Sequence, residues 1–259
     1  MTTTHAYGAD EQQFLELTLP AGSDPAPVAV VLHGGFWRAA YGVDLARPLA
    51  ADLAARGWAA VAVEYRRVGT GGGWPTTLDD VAAALDLLRD LPDAGRLDLS
   101  VLAVVGHSAG GHLAGWAAGR HLLPAGAPGA DPRTRVTAAV LQAGVLDLEL
   151  AAGQRMGDGA VTDFLGGSPA EHPDRYAAAS PTRLAPTGVP VLCVHGEADT
   201  TVPPEQSRRY AEVDPAAEVA LVDGDHMVVI DVAGPAWQIT TTWLDRHRTA
   251  GPHRPTLGP

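Results

Sequence analysis

The stretch VLAVVGHSAGGHLAGWA at residues 101–117 constrains the fold of this chain more than any other. Its first five residues are all apolar, which is typical of a strand buried on both faces of a parallel sheet. The pattern Gly-x-Ser-x-Gly follows at residues 106–110, and small residues continue beyond it, as in the opening of a helix. We therefore predict a buried strand, a sharp turn and a helix, with Ser108 at the tip of the turn.

The two glycines of this pattern are consistent with a chemical role for the serine. At such a turn the serine takes a strained, usually left-handed conformation that lifts its hydroxyl above the sheet, and side chains two residues away would collide with the turn. Free N–H groups at the start of the following helix favour negative charge there. We predict that Ser108 is a nucleophile and that the Ala109 N–H stabilises an oxyanion. The alternative is a structural turn with a chance serine.

A nucleophilic serine needs a base, and His226 is the candidate. It follows the predicted strand at 219–222 and precedes the last predicted helix, where the chain order serine, acid, histidine would place a base. Asp199 follows the predicted strand at 189–195 and is the preferred acid to orient His226. Asp147, which follows an earlier predicted strand, is the alternative acid.

Strand-like and helix-like patterns alternate along the chain. Strands are predicted at residues 14–19, 28–32, 58–65, 136–142, 189–195 and 219–222, and helices at residues 44–56, 75–89, 203–213 and 231–247. This alternation predicts one α/β domain over residues 1–259, built on a doubly wound and mostly parallel sheet. Residues 251–259 are expected to form a frayed tail.

One long connection, at residues 145–188, interrupts this alternation. A connection of this length in a compact domain is usually functional, and it would lie over the carboxyl edge of the sheet, where ligands bind in such folds. We predict a short cap there that shapes a substrate pocket. The alternative is a surface excursion that touches no substrate.

Composition and charge limit the classes of partner. The chain has 30 acidic and 18 basic residues and a net charge of −12, which argues against a nucleic-acid or anionic-membrane partner. Cys193 is the only cysteine and is expected to be a buried, inert thiol, and no residues show metal-ligand spacing. No apolar stretch is long enough to span a bilayer and no secretory signal is visible, so a cytoplasmic location is expected by default. We expect a small-molecule ester or amide substrate, no cofactor and no metal, and the oligomeric state is left open.

The sequence HGGFW at residues 33–37 follows the predicted strand at 28–32. Its glycines would let backbone N–H groups approach a reacting carbonyl closely. Trp37 and His107 are candidate substrate-binding residues. The alternative for Trp37 is core packing, and the alternative for His107 is simply to fill the variable position beside Ser108.

These motifs resemble those of the α/β-hydrolase superfamily along nearly the whole chain. HGGFW is similar to the HGGxW motif of kynurenine formamidases and related small carboxylesterases, GHSAGGHLA at 106–114 matches their nucleophile turn, and VPVLCVHGEADTTVP at 189–203 is similar to the acid-bearing segment of esterases. The resemblance implies an α/β-hydrolase fold. It also implies an oxyanion hole formed by the N–H groups of the second glycine and the next residue, which are Gly35 and Phe36 in this chain.

Residues and resemblance together predict a serine hydrolase that cleaves a small ester or aryl formamide through an acyl-enzyme. The favoured substrate is an N-formylkynurenine-type formamide. The alternatives are a general carboxylesterase acting on short acyl esters and an acyltransferase of a biosynthetic pathway. A non-catalytic binding protein is a further alternative, and the presence of Ser108, Asp199 and His226 counts against it.

Overall fold

The computed structural model describes residues 2–248. This part of the chain contains eight strands and nine α-helices. The strands are β1 (Thr2–Ala6), β2 (Phe14–Thr18), β3 (Ala26–Leu32), β4 (Ala59–Val63), β5 (Leu97–His107), β6 (Ala138–Gln142), β7 (Val191–Gly196) and β8 (Glu218–Val222). The helices are α1 (Arg47–Ala55), α2 (Thr76–Leu87), α3 (Ala109–Gly119), α4 (Leu148–Gly153), α5 (Met156–Leu165), α6 (Pro173–Ala179), α7 (Pro181–Leu184), α8 (Glu205–Val213) and α9 (Pro235–His247). The predicted tail at 251–259 lies outside the described residues.

The strands form one sheet in the spatial order β1-β2-β4-β3-β5-β6-β7-β8. Strands β3 to β8 pair in parallel, whereas β1 and β2 run antiparallel to their neighbours. Leu32 at the end of β3 lies opposite Gly106 of β5, which in turn lies opposite Leu141 of β6. Because parallel strands end at the same edge of a sheet, the loops that follow β3, β5, β7 and β8 meet there.

Each face of the sheet buries its own apolar layer. Along β3, Val28, Val30 and Leu32 belong to one layer, and Ala29 and Val31 belong to the other. This is the period of two expected of a strand that is buried on both faces. Helices α2, α3, α5 and α8 contribute to the first layer, and α1 and α9 contribute to the second. The parallel order and the helices on both faces confirm the predicted α/β-hydrolase fold.

The observed elements differ from the predicted ones mainly at their ends. Strand β1 has no counterpart among the predicted strands, because its sequence TTTHA is polar and it pairs only with β2 at the edge of the sheet. The helices predicted at 44–56 and 231–247 begin later, as α1 and α9. Pro48 and Pro235 lie in their first turns, which is where a helix tolerates proline.

The connection at residues 145–188, called the insertion segment below, is more regular than its sequence pattern indicates. It contains four short helices, α4 to α7. At the start of α5, Arg155, Gly157, Asp158 and Gly159 have φ angles of 51°, 59°, 54° and 84°, so the chain makes a left-handed turn there. In residues 2–248 no helix is both long and apolar enough to cross a membrane.

Candidate active site

Ser108 lies at the turn between β5 and α3, in a conformation that its glycine neighbours make possible. Its φ of 56° and ψ of −119° are strained, as predicted for this turn. A Cβ atom at Gly110 would lie 2.0 Å from the backbone oxygen of Leu32, and a Cβ atom at Gly106 would lie 2.0 Å from that of Gly110. No side chain fits at either position, so the turn requires both glycines.

Backbone hydrogen bonds fix Ser108 to its strand neighbour and to its helix. The Ser108 N–H donates to the carbonyl oxygen of Gln142 in β6 at 2.8 Å, and the Ser108 carbonyl oxygen accepts the His112 N–H at 3.0 Å. Ala109 is the first residue of α3. Because the first N–H groups of a helix have no partner within it, the Ala109 N–H is placed to donate beside Ser108.

The loops that follow β7 and β8 bring Asp199 and His226 together. Nδ1 of His226 lies 2.6 Å from Oδ2 of Asp199. The other carboxylate oxygen, Oδ1, accepts the backbone N–H groups of Thr201 and Val202, each at 2.9 Å. The carboxylate is therefore held in one orientation. It in turn selects the neutral His226 tautomer with its proton on Nδ1, which leaves Nε2 free to accept a proton.

Asp199 keeps its charge although it is buried. Burial raises the pKa of a carboxyl group, but hydrogen bonds from His195, from His226 and from the Val202 N–H outweigh that effect and hold the Asp199 pKa well below its usual range. An ionised carboxylate at this position stabilises a positive charge on His226, as proton transfer from a serine requires.

Asp147, the alternative acid, has other partners. Its Oδ1 accepts the Leu150 N–H at 2.9 Å and so caps the start of α4. Its Oδ2 accepts a hydrogen bond from the Arg209 guanidinium at 2.7 Å. These contacts give Asp147 a structural role, and the geometry favours Asp199 as the acid.

His107 lies against His226 and is itself buried. Its Nε2 donates to the His226 carbonyl oxygen at 3.0 Å, and the two ring centroids are 4.6 Å apart. Burial is the main cause that lowers the His107 pKa to about 3, and the nearby His226 is the second cause. The His107 ring is therefore neutral. His107 therefore positions the loop that carries His226, a role that the sequence pattern did not reveal. Contact with substrate through His107 stays a prediction.

Within the candidate triad, the Ser108 side chain makes fewer hydrogen bonds to the other members than Asp199 and His226 do. Within the described part of the chain, the hydrogen bonds of His226 go to Asp199 and His107, and none joins His226 to the Ser108 hydroxyl. Hydrogen bonds of this kind are often long in a site without substrate. Asp199 and His226 are thus assembled, and the sheet edge brings Ser108 to the same region.

The segment 33–37 follows β3 and packs directly on the turn at Ser108. A Cβ atom at Gly34 would lie 2.9 Å from the carbonyl oxygen of His107 and 3.0 Å from Cβ of Ser108. Glycine at this position therefore lets the backbone of the segment approach Ser108 closely, as a candidate oxyanion hole would need.

The next three residues have an unusual backbone. Gly35, Phe36 and Trp37 have φ angles of 114°, 50° and 54°, so three consecutive residues are left-handed. The Arg38 N–H donates to the Gly35 carbonyl oxygen at 2.9 Å and closes this turn. Left-handed backbone at two aromatic residues costs free energy, so the surrounding structure must hold the candidate donors Gly35 and Phe36 in place.

A buried hydrogen-bond network supports this turn through His33. The Tyr65 hydroxyl donates to the His33 carbonyl oxygen at 2.7 Å, and the two rings stack with centroids 4.3 Å apart. Nε2 of His33 lies 3.1 Å from Oε1 of Glu64, which also accepts from Arg67 at 2.7 Å. Burial raises the Glu64 pKa, but hydrogen bonds from His33 and from the Val43 and Tyr65 N–H groups outweigh it and lower that pKa. Glu64 is therefore an ionised anchor for the turn.

The insertion segment touches the same turn from the other side. The Arg38 guanidinium donates to the Gly157 carbonyl oxygen at 2.6 Å. A Cβ atom at Gly157 would lie 2.8 Å from the Phe36 ring, so the ring packs directly on this glycine. The left-handed turn at the start of α5 therefore contacts the residue whose N–H is a candidate oxyanion donor.

Trp37 is fully buried. Its ring stacks on Phe164 of α5 with centroids 4.6 Å apart, and its Nε1 donates to Nδ1 of His112 at 3.2 Å. His112 directs its Nε2 at the Ala179 carbonyl oxygen, 3.0 Å away, and burial lowers the His112 pKa to about 3, so the ring is neutral. These contacts favour the core-packing alternative for Trp37. Contact with substrate through Trp37 stays a prediction.

Neither a metal-binding group nor a reactive thiol is found in the part of the chain that the structure describes. Within residues 2–248, no three His, Cys, Asp or Glu residues are grouped so that they could hold a metal ion. Cys193 is buried in β7, and burial raises its thiol pKa to about 12. A thiol that stays protonated at neutral pH is a poor nucleophile, which leaves Ser108 as the candidate.

Comparison with known proteins places the chain in a family. The family model BD-FAE matches residues 15–213, which include the segment 33–37, Ser108 and Asp199. The chain belongs to the BD-FAE family. BD-FAE is an esterase family of the α/β-hydrolase type, so the predicted superfamily is confirmed. His226 lies beyond the matched residues.

Proteins named as esterases are among those similar to this chain in sequence and in structure. Esterase LipC of Mycobacterium tuberculosis is 33% identical over 223 residues, which are 80% of this BD-FAE chain and 53% of LipC. The chain therefore spans about half the length of this curated relative. The thermophilic esterase Est2 of Thermogutta terrifontis is similar in structure with a TM-score of 0.74 at 26% identity, over 95% of this chain and 90% of Est2. Est2 is also known with butyrate bound, with propionate bound and phosphonylated by sarin.

A carbohydrate esterase from gut microbiota shares the fold of this BD-FAE chain. Its TM-score is 0.79 at 22% identity, over 96% of this chain and 97% of the other. The family match, the similarity to LipC and the similarity to Est2 support the superfamily and an esterase family within it. They do not support the narrower resemblance to kynurenine formamidases.

Proposed function

We propose that this protein is a serine carboxylesterase that hydrolyses short acyl esters through an acyl-enzyme. The observation that carries the proposal is the 2.6 Å hydrogen bond between His226 and Asp199, at the edge of the sheet where the strained turn presents Ser108. Membership of the BD-FAE family and the likeness to LipC and Est2 support an ester as the substrate.

In the first half of the reaction, Oγ of Ser108 attacks the ester carbonyl carbon and its proton passes to Nε2 of His226. The carbonyl π electrons move to the oxygen, which accepts hydrogen bonds from the N–H groups of Gly35, Phe36 and Ala109. The bond to the leaving oxygen then breaks, and His226 gives its proton to that oxygen as the alcohol departs. The acyl group remains on Ser108.

In the second half, a water molecule attacks the acyl carbon and gives a proton to Nε2 of His226. The oxyanion forms again in the same donor set. When it collapses, the bond between the acyl carbon and Oγ of Ser108 breaks, the proton on His226 returns to Oγ, and the carboxylic acid leaves. Asp199 stabilises the His226 imidazolium in both halves because it stays ionised.

The insertion segment is proposed to act as a cap that bounds the acyl side of the site. Its contact with Phe36 through Gly157 and its stacking on Trp37 through Phe164 support this role. The partly buried Phe36 ring, held by these contacts, would then limit the space for the acyl group and favour small ones. The structures of Est2 with bound butyrate and propionate are consistent with a short acyl group in a related protein.

Aryl formamide hydrolysis is the second candidate function, and the HGGFW motif at residues 33–37 favours it. The formyl group is the smallest acyl group, so the same nucleophile, base and oxyanion donors would serve. An acyltransferase would differ only in the acceptor, because an alcohol or amine would replace water in the second half of the reaction.

The test is hydrolysis of p-nitrophenyl acetate, p-nitrophenyl butyrate and N-formylkynurenine by the wild-type chain and by Ser108→Ala. Ser100→Ala, at an exposed position in the same strand, is the matched control. We expect ester turnover by the wild type and the control, and its loss in Ser108→Ala with an unchanged unfolding temperature. Strong preference for the formamide would move the function to a formamidase. Full turnover by Ser108→Ala would overturn the mechanism.

A further inference from the structure

A second, fully buried histidine lies against the carboxylate of Asp199. His195, in β7, places its Nε2 3.3 Å from Oδ2 of Asp199, the same oxygen that Nδ1 of His226 approaches at 2.6 Å. Nε2 of His195 also lies 2.7 Å from the carbonyl oxygen of Val202. One carboxylate oxygen therefore faces two imidazole rings, and the triad mechanism uses only one of them.

The surroundings of His195 determine where its proton lies. The two groups near Nε2, the Val202 carbonyl and the ionised Asp199 carboxylate, can only accept hydrogen bonds. Nε2 must therefore carry a proton, which it donates to the Val202 carbonyl at 2.7 Å and which also faces Oδ2 of Asp199 at the longer distance of 3.3 Å. Nδ1 lies 2.7 Å from the Ser207 hydroxyl of α8, which is fully buried as well. In the tautomer with its proton on Nε2, the ring accepts from the Ser207 hydroxyl at Nδ1 and donates from Nε2.

We propose that His195, with Ser207 behind it, is a positioning residue that limits how strongly Asp199 stabilises the charged form of His226. The inference deepens the proposed function and rests on it. A donor on Oδ2 withdraws charge from the oxygen that faces His226. Without that donor, the carboxylate would hold the imidazolium more tightly, and His226 would take up its proton at a higher pH.

The groups that face this arrangement are few. His226 is faced by Asp199 from the loop after β7 and by His107 from β5, and exposed Asp225 precedes it in the chain. His195 faces Asp199, the neutral His107 ring and the uncharged Ser207 hydroxyl, which also contacts the Cys193 thiol. Since burial keeps His107 neutral, the charge that His226 senses most directly is that of Asp199.

A purely structural role for His195 makes a different prediction. Its hydrogen bond to Val202 ties down the loop that carries Asp199, so its loss would lower stability and turnover at every pH. A structural contact of that kind would not move the pH at which activity rises. The midpoint of the acid limb of kcat/KM, which reports the base of the free enzyme, therefore separates the two roles.

The experiment compares His195→Leu, His195→Gln and Ser207→Ala with the wild type. His112→Gln is the control, because His112 is an equally buried neutral histidine whose ring nitrogens contact Trp37 and Ala179 and not Asp199. The pH profile of p-nitrophenyl acetate hydrolysis is measured for each. The ring signals of His226 are also titrated by NMR in a Ser108→Ala background, which needs no turnover.

We expect His195→Leu to raise both midpoints by about 0.5–1 pH unit. His195→Gln, whose amide can still donate to Asp199, should stay near the wild type. Ser207→Ala should shift in the same direction by less, because a ring that accepts no hydrogen bond at Nδ1 is a weaker donor at Nε2. His112→Gln should lower the unfolding temperature and leave the midpoint in place.

Unchanged midpoints in His195→Leu would overturn the inference even if its turnover fell. Should His195→Leu fail to fold, Ser207→Ala decides in its place, and a midpoint equal to that of the wild type rejects the inference. Failure of the proposed function looks different. In that case the wild type would not hydrolyse the ester, or Ser108→Ala would retain turnover, whatever the NMR titration shows.

Discussion

The carboxylate of Asp199 and the imidazole of His226 are joined at 2.6 Å although 27 positions separate them in the chain. They meet because each lies in the loop after one of two neighbouring parallel strands, β7 and β8. The sheet therefore determines the distance between them, and the loops need only place each side chain at the common edge. Asp147 follows β6 at the same edge, but its contacts with α4 and Arg209 occupy its carboxylate.

The two aspartates make a direct test of the acid. Asp199→Asn should lower kcat for ester hydrolysis by about 10³–10⁴-fold, because a neutral amide does not stabilise the His226 imidazolium. Asp147→Asn should change kcat by less than about threefold and lower the free energy of unfolding by less than about 1 kcal/mol, because asparagine also caps a helix and only the partly exposed ion pair with Arg209 is lost. Steady-state kinetics and urea unfolding of both variants are the measurements. A larger loss of turnover in Asp147→Asn would reverse the assignment.

The fold and the positions of the candidate triad could be read from the sequence because they rest on local patterns. An apolar run followed by Gly-x-Ser-x-Gly specifies a strand, a turn and a helix around Ser108. Asp199 and His226 each follow an apolar run, and parallel pairing brings the ends of such runs to one edge. Their catalytic roles remain predictions. The polar edge strand β1 and the short helices α4 to α7 lack the periodicity that would have identified them.

The supporting contacts could not be predicted, because they join distant parts of the chain. His33 meets Glu64 across 31 positions, and His107 meets the carbonyl of His226 across 119. No local pattern distinguishes a histidine that faces substrate from one that packs behind a catalytic loop. Trp37 illustrates this limit, since its ring stacks on Phe164, which the sequence places in a long connection.

Two buried neutral histidines should make the protein sensitive to mild acid. The pKa of His107 and of His112 is lowered to about 3, whereas the unfolded chain takes up these protons near pH 6.5. Between these values the unfolded state binds more protons than the folded state, so stability falls as pH falls. The expected slope is up to about 1.4 kcal/mol per pH unit for each histidine.

Urea unfolding at pH 7, 6, 5 and 4 measures this slope. In His112→Gln the unfolded chain takes up one proton fewer than in the wild type. The slope of stability against pH should therefore decrease by up to about 1.4 kcal/mol per pH unit. Equal slopes in the wild type and the variant would show that His112 is protonated in the folded state or accessible to water.

Replacement of Gly110 by alanine should destabilise the protein strongly, and Gly153, another helical glycine, provides the control. In Gly110→Ala the new Cβ would lie 2.0 Å from the Leu32 oxygen and 2.5 Å from the His33 oxygen, both of them backbone atoms that cannot move independently. We expect a loss of more than about 3 kcal/mol or failure to fold. Gly153, at the end of α4, has no atom within 4 Å of an added Cβ. Gly153→Ala should leave stability unchanged or raise it by up to about 1 kcal/mol. Thermal unfolding of the two variants gives the comparison.

Gly157→Ala tests whether the insertion segment controls the turn at residues 35–37, which carries the candidate oxyanion donors. An added Cβ at this position would lie 2.8 Å from the Phe36 ring, so Gly157→Ala should displace the residue whose N–H is a candidate oxyanion donor. Gly126 is the control, because its φ is also positive, at 83° compared with 59° for Gly157. An added Cβ at Gly126 would have no atom within 4 Å. Both substitutions should cost about 1–2 kcal/mol of stability for the left-handed backbone. Only Gly157→Ala should lower kcat, by about tenfold, which is less than the loss expected when a whole oxyanion donor is removed.

The double variant Gly157→Ala, Phe36→Leu separates displacement of the turn from general damage. Leucine is smaller than phenylalanine and leaves room for the new methyl group. Gly157→Ala should therefore lower kcat less in the Phe36→Leu background than in the wild type. Kinetics of the four chains form a double-mutant cycle in which the coupling free energy measures the contact. Additive effects on kcat would mean that Gly157 acts on the site by a route other than Phe36. The contact of the insertion segment with Phe36 would then not control the turn at residues 35–37.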